Sequence, residues 1–239
     1  MIARYLKWLV ATAESGYMTN MASCLRKLNI TTNIFCDVGC YDGKSSFIIA
    51  NAVKAKHIYG VDKNVDALKT AKDIGISTVY TDINDNFWAI EDNKFDFVYS
   101  NQVIEHLYSV DNFMLNIKRI TKPDGYILIS TENLAGWHNC IALLLGYQPF
   151  SSTNICTKKW SIGNPFSIVT DGHNDPMMVH RAVFTNYAFR DFLKLYECQV
   201  IKYINGGYYP VPNHFIGNLF ARIDPRHSVY MAALVKNIK

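Results

Sequence analysis

Ile34-Phe35-Cys36-Asp37-Val38-Gly39-Cys40-Tyr41-Asp42-Gly43 is the stretch on which the rest of the chain is read. An apolar run ends in an acid and passes into a loop with two glycines. A short apolar run is how a strand buried on both faces of a parallel sheet is written, and in doubly wound sheets ligands bind beyond the carboxyl ends of the strands. Asp37, Gly39 and Gly43 fall there. Gly39 permits a sharp turn, and Gly43 permits close approach of a ligand and of the next helix, because neither has a Cβ. The spacing is Gly-x-x-x-Gly after an acid, not the G-x-G-x-x-G turn whose amides hold a pyrophosphate. A carboxylate at this place repels phosphate and favours a cationic ligand.

Working outward, strands and helices alternate, the arrangement that builds a parallel sheet. Residues 44–56 read as a helix with Phe47, Ile48, Ala50, Ala52 and Val53 mostly inward, and residues 57–62 as a second strand ending at Asp62. Asp62 follows the glycine loop by about 20 residues, the separation at which an acid at the second strand's tip accepts hydrogen bonds from a ribose diol. The competing reading is that Asp62 caps the helix over 64–74, a common task for aspartate. Residues 77–82 form a third strand, 95–100 a fourth and 126–130 a fifth. A helix over 110–121 and a Lys122-Pro123-Asp124-Gly125 turn precede the fifth strand.

The pattern D-x-G-x-x-x-G, together with Phe95-Asp-Phe-Val-Tyr-Ser100 and Gln102-Val-Ile-Glu-His-Leu107, resembles the class I S-adenosylmethionine-dependent methyltransferases, and their type 11 branch in particular. The resemblance covers about residues 33–131 and, more loosely, 185–239. It implies a Rossmann-like, doubly wound α/β fold with seven strands, the last antiparallel, and S-adenosyl-L-methionine as cofactor. It places Asp37, Gly39, Cys40, Tyr41 and Gly43 in the cofactor loop, Asp62 and Lys63 at the ribose, Asp82 and Ile83 near the adenine, and Asn101 and Gln102 beside the methionine part. Glu105 and His106 would begin a supporting helix.

The whole chain reads as one domain in four parts: N-terminal helices over 1–32, a cofactor-binding half over 33–131, an insertion over 132–184, and a closing helix and strands over 185–239. Residues 1–28 carry apolar groups at helical spacing with Gly16 between, which predicts two short helices, packed on the sheet edge or covering the cofactor. Near the end, a helix over 187–196, a strand over 199–204, a loop over 205–212 and a final strand over 228–236 are expected.

The insertion is long, aromatic and poor in simple periodicity; long insertions between sheet elements usually carry function or disorder, and the aromatic content argues against disorder. It reads as a substrate lid. Trp137, Tyr147, Tyr208 and Tyr209, with Trp160 and Phe166, offer apolar walls with polar tips, suited to a small hydroxylated acceptor such as a sugar or a lipid-linked intermediate. Methyl transfer from a sulfonium is an in-line displacement that needs positioning and exclusion of water. A hydroxyl acceptor also needs a base, and His138 and His180, at the two ends of the insertion, are the candidates among His106, His138, His173, His180 and His214.

Composition sets limits. At 239 residues and 49% hydrophobic the chain can bury a substantial core, while a net charge of +4 spread along it advertises no dense basic face for nucleic acid. The Asp/Asn-Pro-Pro-aromatic tetrapeptide of amino-methylating nucleic-acid enzymes is missing after the fourth strand, so specific DNA binding is not expected. Six cysteines without a CxxC pair or a metal-ligand rhythm read as free thiols in a reducing, cytoplasmic setting, and no metal ligands are assigned. The longest apolar run, residues 140–147, is far below the roughly 20 residues of a spanning helix. A nucleic-acid or protein methyltransferase and a non-catalytic cofactor-binding module remain as alternatives. Oligomeric state is left open.

Overall fold

The computed structural model describes residues 2–158, 161–167 and 176–239, with the backbone alone at residues 2 and 3. A sheet of seven strands runs through it: β1 (Ile34–Val38), β2 (His57–Asp62), β3 (Ser77–Tyr80), β4 (Phe95–Asn101), β5 (Thr121–Glu132), β6 (Gln199–Gly206) and β7 (Tyr230–Lys236), in the order β3-β2-β1-β4-β5-β7-β6. The strands from β3 to β5 pair parallel, whereas β7 is antiparallel to both β5 and β6. The expected seven-stranded sheet with its last strand reversed is what forms. The Lys122–Gly125 turn is taken up inside β5 as a register shift opposite Phe95 and Phe97.

Side chains alternate across the sheet because successive strand residues face opposite ways. Cys36, Val38, Ile127, Ile129, Ala233 and Val235 join one buried cluster with Trp88, Phe113 and Phe189; Phe35, Leu128, Ala232 and Leu234 join another with Tyr17, Met21 and Leu25. The first cluster is covered by α4 (Val110–Ile120) and α6 (Asn186–Leu195), which are capped by Ser109 and Thr185. The second is covered by α1 (Ile2–Lys27) and α2 (Lys44–Ala52).

Two sequence expectations are corrected here, and a third holds for all but one residue. The N-terminal segment is one continuous helix, not two: Gly16 lies within α1, where a methyl group would collide with Cβ of His214, so the glycine serves a close helix crossing rather than a break. The partner is α7 (His214–Ile223), capped by Asn213, whose Oδ1 accepts from the N–H groups of Phe215 and Ile216. In α2, Ala50, Ala52 and Val53 face inward as expected, joined by Ile49 and by Ser46, which reaches a buried acid, while Ile48 is exposed. Glu105 and His106 sit in a single 3₁₀ turn (Ile104–His106), not at the start of a longer helix, which begins only after the Ser109 cap.

Candidate active site

The carboxyl ends of β1 to β4 bring together the acids that the sequence singled out. Asp37 pairs in register with Gly60 and Tyr99, and Asp62 with Tyr80, so the tips of four strands lie side by side. Gly39 and Gly43 both adopt positive φ, at 82° and 77°, which a residue with a Cβ rarely tolerates. Their bare Cα faces meet protein: Val103 at Gly39, and Ile76 with Ala71 at Gly43. The loop between them is closed onto β2, since the Tyr41 N–H donates to Asp62 Oδ2 at 2.9 Å. Asp62 Oδ1 accepts from the Asn64 N–H, and the cap of α3 (Val65–Asp73) is Asn64 itself, so the aspartate holds the loop rather than the helix.

Asp37 is buried, and its Oδ2 accepts from Ser46 Oγ at 2.6 Å. Burial pushes its carboxyl up to about 7, against the lowering effect of the Ser46 hydrogen bond and with the charge of Asp62 adding to the rise. The Cys40 thiol is likewise raised by burial and by the neighbouring Asp37 and Asp62. Lys63 reaches Asp82 at 2.8 Å. Burial opposes ionisation of Asp82, but the hydrogen bonds from Lys63 and from the Asn84 N–H outweigh it and leave the carboxyl below its ordinary value. Ile83 is buried, with its carbonyl accepting from Trp88 Nε1. Asn101 Oδ1 is buried without a hydrogen-bond partner, whereas Gln102 is committed to β5 through its N–H to the Ser130 carbonyl and its Nε2 to Ser130 Oγ.

A cavity of about 410 Å³ opens further along the sheet, at the ends of β5 and β7. Leu6, Leu9 and Val10 of α1 form one wall. His138, Ile141 and Leu145 from α5 (Trp137–Leu144) and its end form another, with Tyr147, Phe150, Phe166 and Tyr209 closing the space and Glu132 at its edge. His138 packs edge-on against Tyr209 at 5.0 Å, and its Nδ1 is buried without a partner; burial lowers its pKa to about 4. Of the six aromatic residues expected at the acceptor, Tyr147, Phe166 and Tyr209 line the cavity. Trp137 and Tyr208 do not, because both donate to Asp224 Oδ2, at 3.0 and 2.8 Å, in a cluster completed by His227. His180 is also outside the cavity wall: its Nδ1 lies 2.7 Å from the Ser151 carbonyl and its ring meets His106 at 4.6 Å. Trp160 and His173 lie outside the described residues.

A family model described as "Methyltransferase domain" matches residues 32–165, more than half of the chain. The chain belongs to that family. It is an S-adenosylmethionine-dependent methyltransferase, as the resemblance of its motifs implied. Among curated proteins it is similar to the ubiquinone biosynthesis O-methyltransferase of Rhizobium johnstonii, 31% identical over 101 residues, which is 41% of this chain and 40% of that protein. The match thus spans less than half the length of that relative. Among solved structures, a SAM-dependent methyltransferase of Thermotoga maritima, described as a possible histamine N-methyltransferase, superposes with a TM-score of 0.61 at 12% identity, covering 98% of this chain and 94% of that one. A SAM-dependent methyltransferase of Mesorhizobium loti gives 0.57 at 15% identity, covering 90% and 96%. These two likenesses speak for the fold.

The strand tips of the methyltransferase fit its cofactor. Asp37 and Asp62 are buried carboxylates that, among the described residues, pair with no lysine or arginine, and the Asn101 oxygen lacks a donor. Such a set suits a ligand bearing an ammonium group, a sulfonium and ribose hydroxyls. Asp37, Asp62 and Asn101 would hold it, with Asp82 and Ile83 at the base and the loop from Gly39 to Gly43 as the floor; bound there, the cofactor supplies the transferable methyl group. The sign of the pH effect follows from the raised carboxyl of Asp37. A cation stabilises its ionised form, so affinity for S-adenosylmethionine is full above about pH 7 and falls as pH drops below it, by up to about tenfold per unit. Titration calorimetry at pH 6 in two buffers of different ionisation enthalpy checks this: a proton is released on binding, and Asp37→Asn abolishes the release. Equal heats in both buffers would count against it.

Sequence reading missed α7, the Asp224 cluster and the contribution of α1 to the cavity. The signal for α7 was present as Asn213 followed by Phe215, Ile216, Leu219, Phe220 and Ile223 at helical spacing.

Proposed function

We propose that this methyltransferase transfers the methyl group to a hydroxyl of a small, largely apolar molecule held in the cavity beside the cofactor. The observation that carries the reading is the cavity itself: walls of Leu6, Leu9, Val10, Ile141, Leu145, Phe150 and Phe166, with the buried imidazole of His138 among them. Its volume is that of an ordinary small-molecule site. Apolar walls favour a hydroxylated ring or an alkylated phenol over a free sugar, whose many hydroxyls would be left without partners here. The name of the relatives, ubiquinone biosynthesis O-methyltransferase, supports the same class of acceptor.

On this reading residues 132–184 act as a lid, since α5 and the segment after it supply much of the wall. His138 acts as base: burial keeps the imidazole neutral, and its ring forms part of the cavity wall. His180, the other candidate, has its Nδ1 engaged by a carbonyl and sits outside the wall. No helix among the described residues is long and apolar enough to cross a membrane, and the free thiols of Cys24, Cys36, Cys40, Cys140 and Cys198 accord with a cytoplasmic setting.

Labelled methyl transfer from S-adenosylmethionine to a panel of alkylated phenols and catechols, run against monosaccharides and nucleic acid, tests the proposal. Turnover confined to sugars or to nucleic acid would overturn it. Asp62→Ala is expected to weaken cofactor binding by about 1–3 kcal/mol, the usual cost of removing a charged hydrogen-bonding group, because the Tyr41 and Asn64 amides lose their acceptor along with the ribose. Calorimetry with S-adenosylhomocysteine reads the change.

A further inference from the structure

We propose that Glu105, His106 and His180 form a binding site for a divalent first-row transition-metal ion, such as Zn²⁺, at the edge of the acceptor cavity. One ligand atom from each of the three residues lies within 4.8 Å of the other two. An ion bound tetrahedrally at about 2.0–2.2 Å from nitrogen and oxygen ligands sets them roughly 3.5 Å apart, so small side-chain rotations bring the three into position. Two imidazoles and one carboxylate suit zinc and its neighbours better than magnesium or calcium, which prefer oxygen throughout.

The surroundings are those of a built ligand set. A metal-binding histidine commonly donates its other ring N–H to a carbonyl, which fixes its tautomer. In His180 the Nδ1 faces the Ser151 carbonyl at 2.7 Å and leaves Nε2 with a lone pair. The His106 ring is hydrogen-bonded by the Val179 backbone, and its Nδ1 is buried without any partner. The Glu105 carboxyl is buried and oriented by Thr131 Oγ1, which donates to its Oε2 at 2.9 Å. Glu132 adds a second carboxyl, with Oε2 buried and unpartnered and 3.9 Å from His180 Nδ1. Among the described residues neither glutamate is paired with a lysine or arginine; the nearby Arg181 spends its guanidinium on the carbonyls of His106, Val179 and Pro176 and on Tyr108. A buried carboxyl beside a half-buried one and two imidazoles, without a lysine or arginine, is costly to bury, and a divalent ion offsets the negative charge.

Glu132 lines the acceptor cavity and lies 3.9 Å from His180 Nδ1, so the ion site is next to the cavity wall. Binding of the ion does not rest on the proposed acceptor. The test is therefore made without acceptor. Metal-free full-length protein is titrated with Co²⁺, read by its visible absorption, and with Zn²⁺, read by calorimetry. One equivalent is expected to bind, with the strong visible band of a low-symmetry nitrogen–oxygen site. His180→Ala and His106→Ala are each expected to weaken binding at least tenfold, while His214→Ala, at the start of α7 and outside the three-residue cluster, binds as the parent does. Circular dichroism confirms that the variants remain folded, and Glu105→Gln, which keeps the shape and the Thr131 hydrogen bond, gives a third reading. Stoichiometric binding that survives all three substitutions, or no binding at millimolar ion by a folded parent, would overturn the proposal. Failure to find a methyl acceptor would leave these titrations unchanged.

Discussion

Turnover falls about 10² to 10⁴-fold when His138 is replaced by alanine, the range over which a positioned general base contributes, while cofactor affinity stays at its parent value. The base is placed by packing rather than by hydrogen bonds. Its ring lies against Tyr209 and Phe150, and a side chain at Gly136 would approach its Cε1 to 2.7 Å, so the residue ahead of α5 is bare where the imidazole needs room. Because burial lowers its pKa to about 4, His138 is neutral throughout the ordinary working range. At saturating cofactor the rate is then level from about pH 9 down to pH 5 and drops only as pH approaches 4. An exposed histidine would already lose activity near 6.5. Gly136→Ala is expected to reproduce part of the loss by shifting the ring, without touching any strand tip that would hold the cofactor. A His138→Ala enzyme that keeps its full rate across pH 5 to 9 excludes the imidazole as base.

How far the sequence could be read depended on whether a signal was local. The run from Ile34 to Gly43 was legible because burial on both faces and a turn at positive φ each demand a narrow set of residues, and both demands fall within ten positions. Asp62 and Asp82 were legible for the same reason, as acids ending apolar runs. The reversal of β7 was reached only through the family likeness, since nothing in Tyr230–Lys236 distinguishes an antiparallel buried strand from a parallel one. Gly16 misled because a glycine in a helix that admits a neighbouring helix is written like a glycine that ends one. Trp137 and Tyr208 also misled: their polar tips find a surface carboxylate, Asp224, more than 15 residues away in sequence, and no local pattern announces that meeting. The Glu105, His106 and His180 cluster escaped because 73 positions separate its last two members, which meet only once the insertion folds back over β4 and β5.

Trp88→Ala is expected to cost about 3–5 kcal/mol of stability, the penalty of emptying a large buried aromatic site. Trp88 is fully buried and meets Phe113 edge-on at 6.2 Å. It also ties down a segment that has no regular structure of its own, the connection from β3 to β4. Its Nε1–H donates to the Ile83 carbonyl, its backbone N–H donates to Asn116 Oδ1, and its carbonyl accepts from Arg119. Asp82 and Ile83, expected at the adenine, lie at the start of that same segment, so the indole holds against α4 the stretch that would form one edge of the cofactor site. Trp88→Phe separates the two tasks. It keeps most of the apolar volume but removes the donor to Ile83, and a buried carbonyl left unsatisfied costs about 1–3 kcal/mol. Urea denaturation reads both variants as a lowered midpoint at unchanged slope. Affinity for S-adenosylhomocysteine is expected to fall in Trp88→Phe even where the protein remains folded, because the Ile83 backbone loses its anchor. A Trp88→Ala loss below about 1 kcal/mol, or a Trp88→Phe protein with parental cofactor affinity, would show that the β3–β4 connection is held by Arg119 and its partners instead.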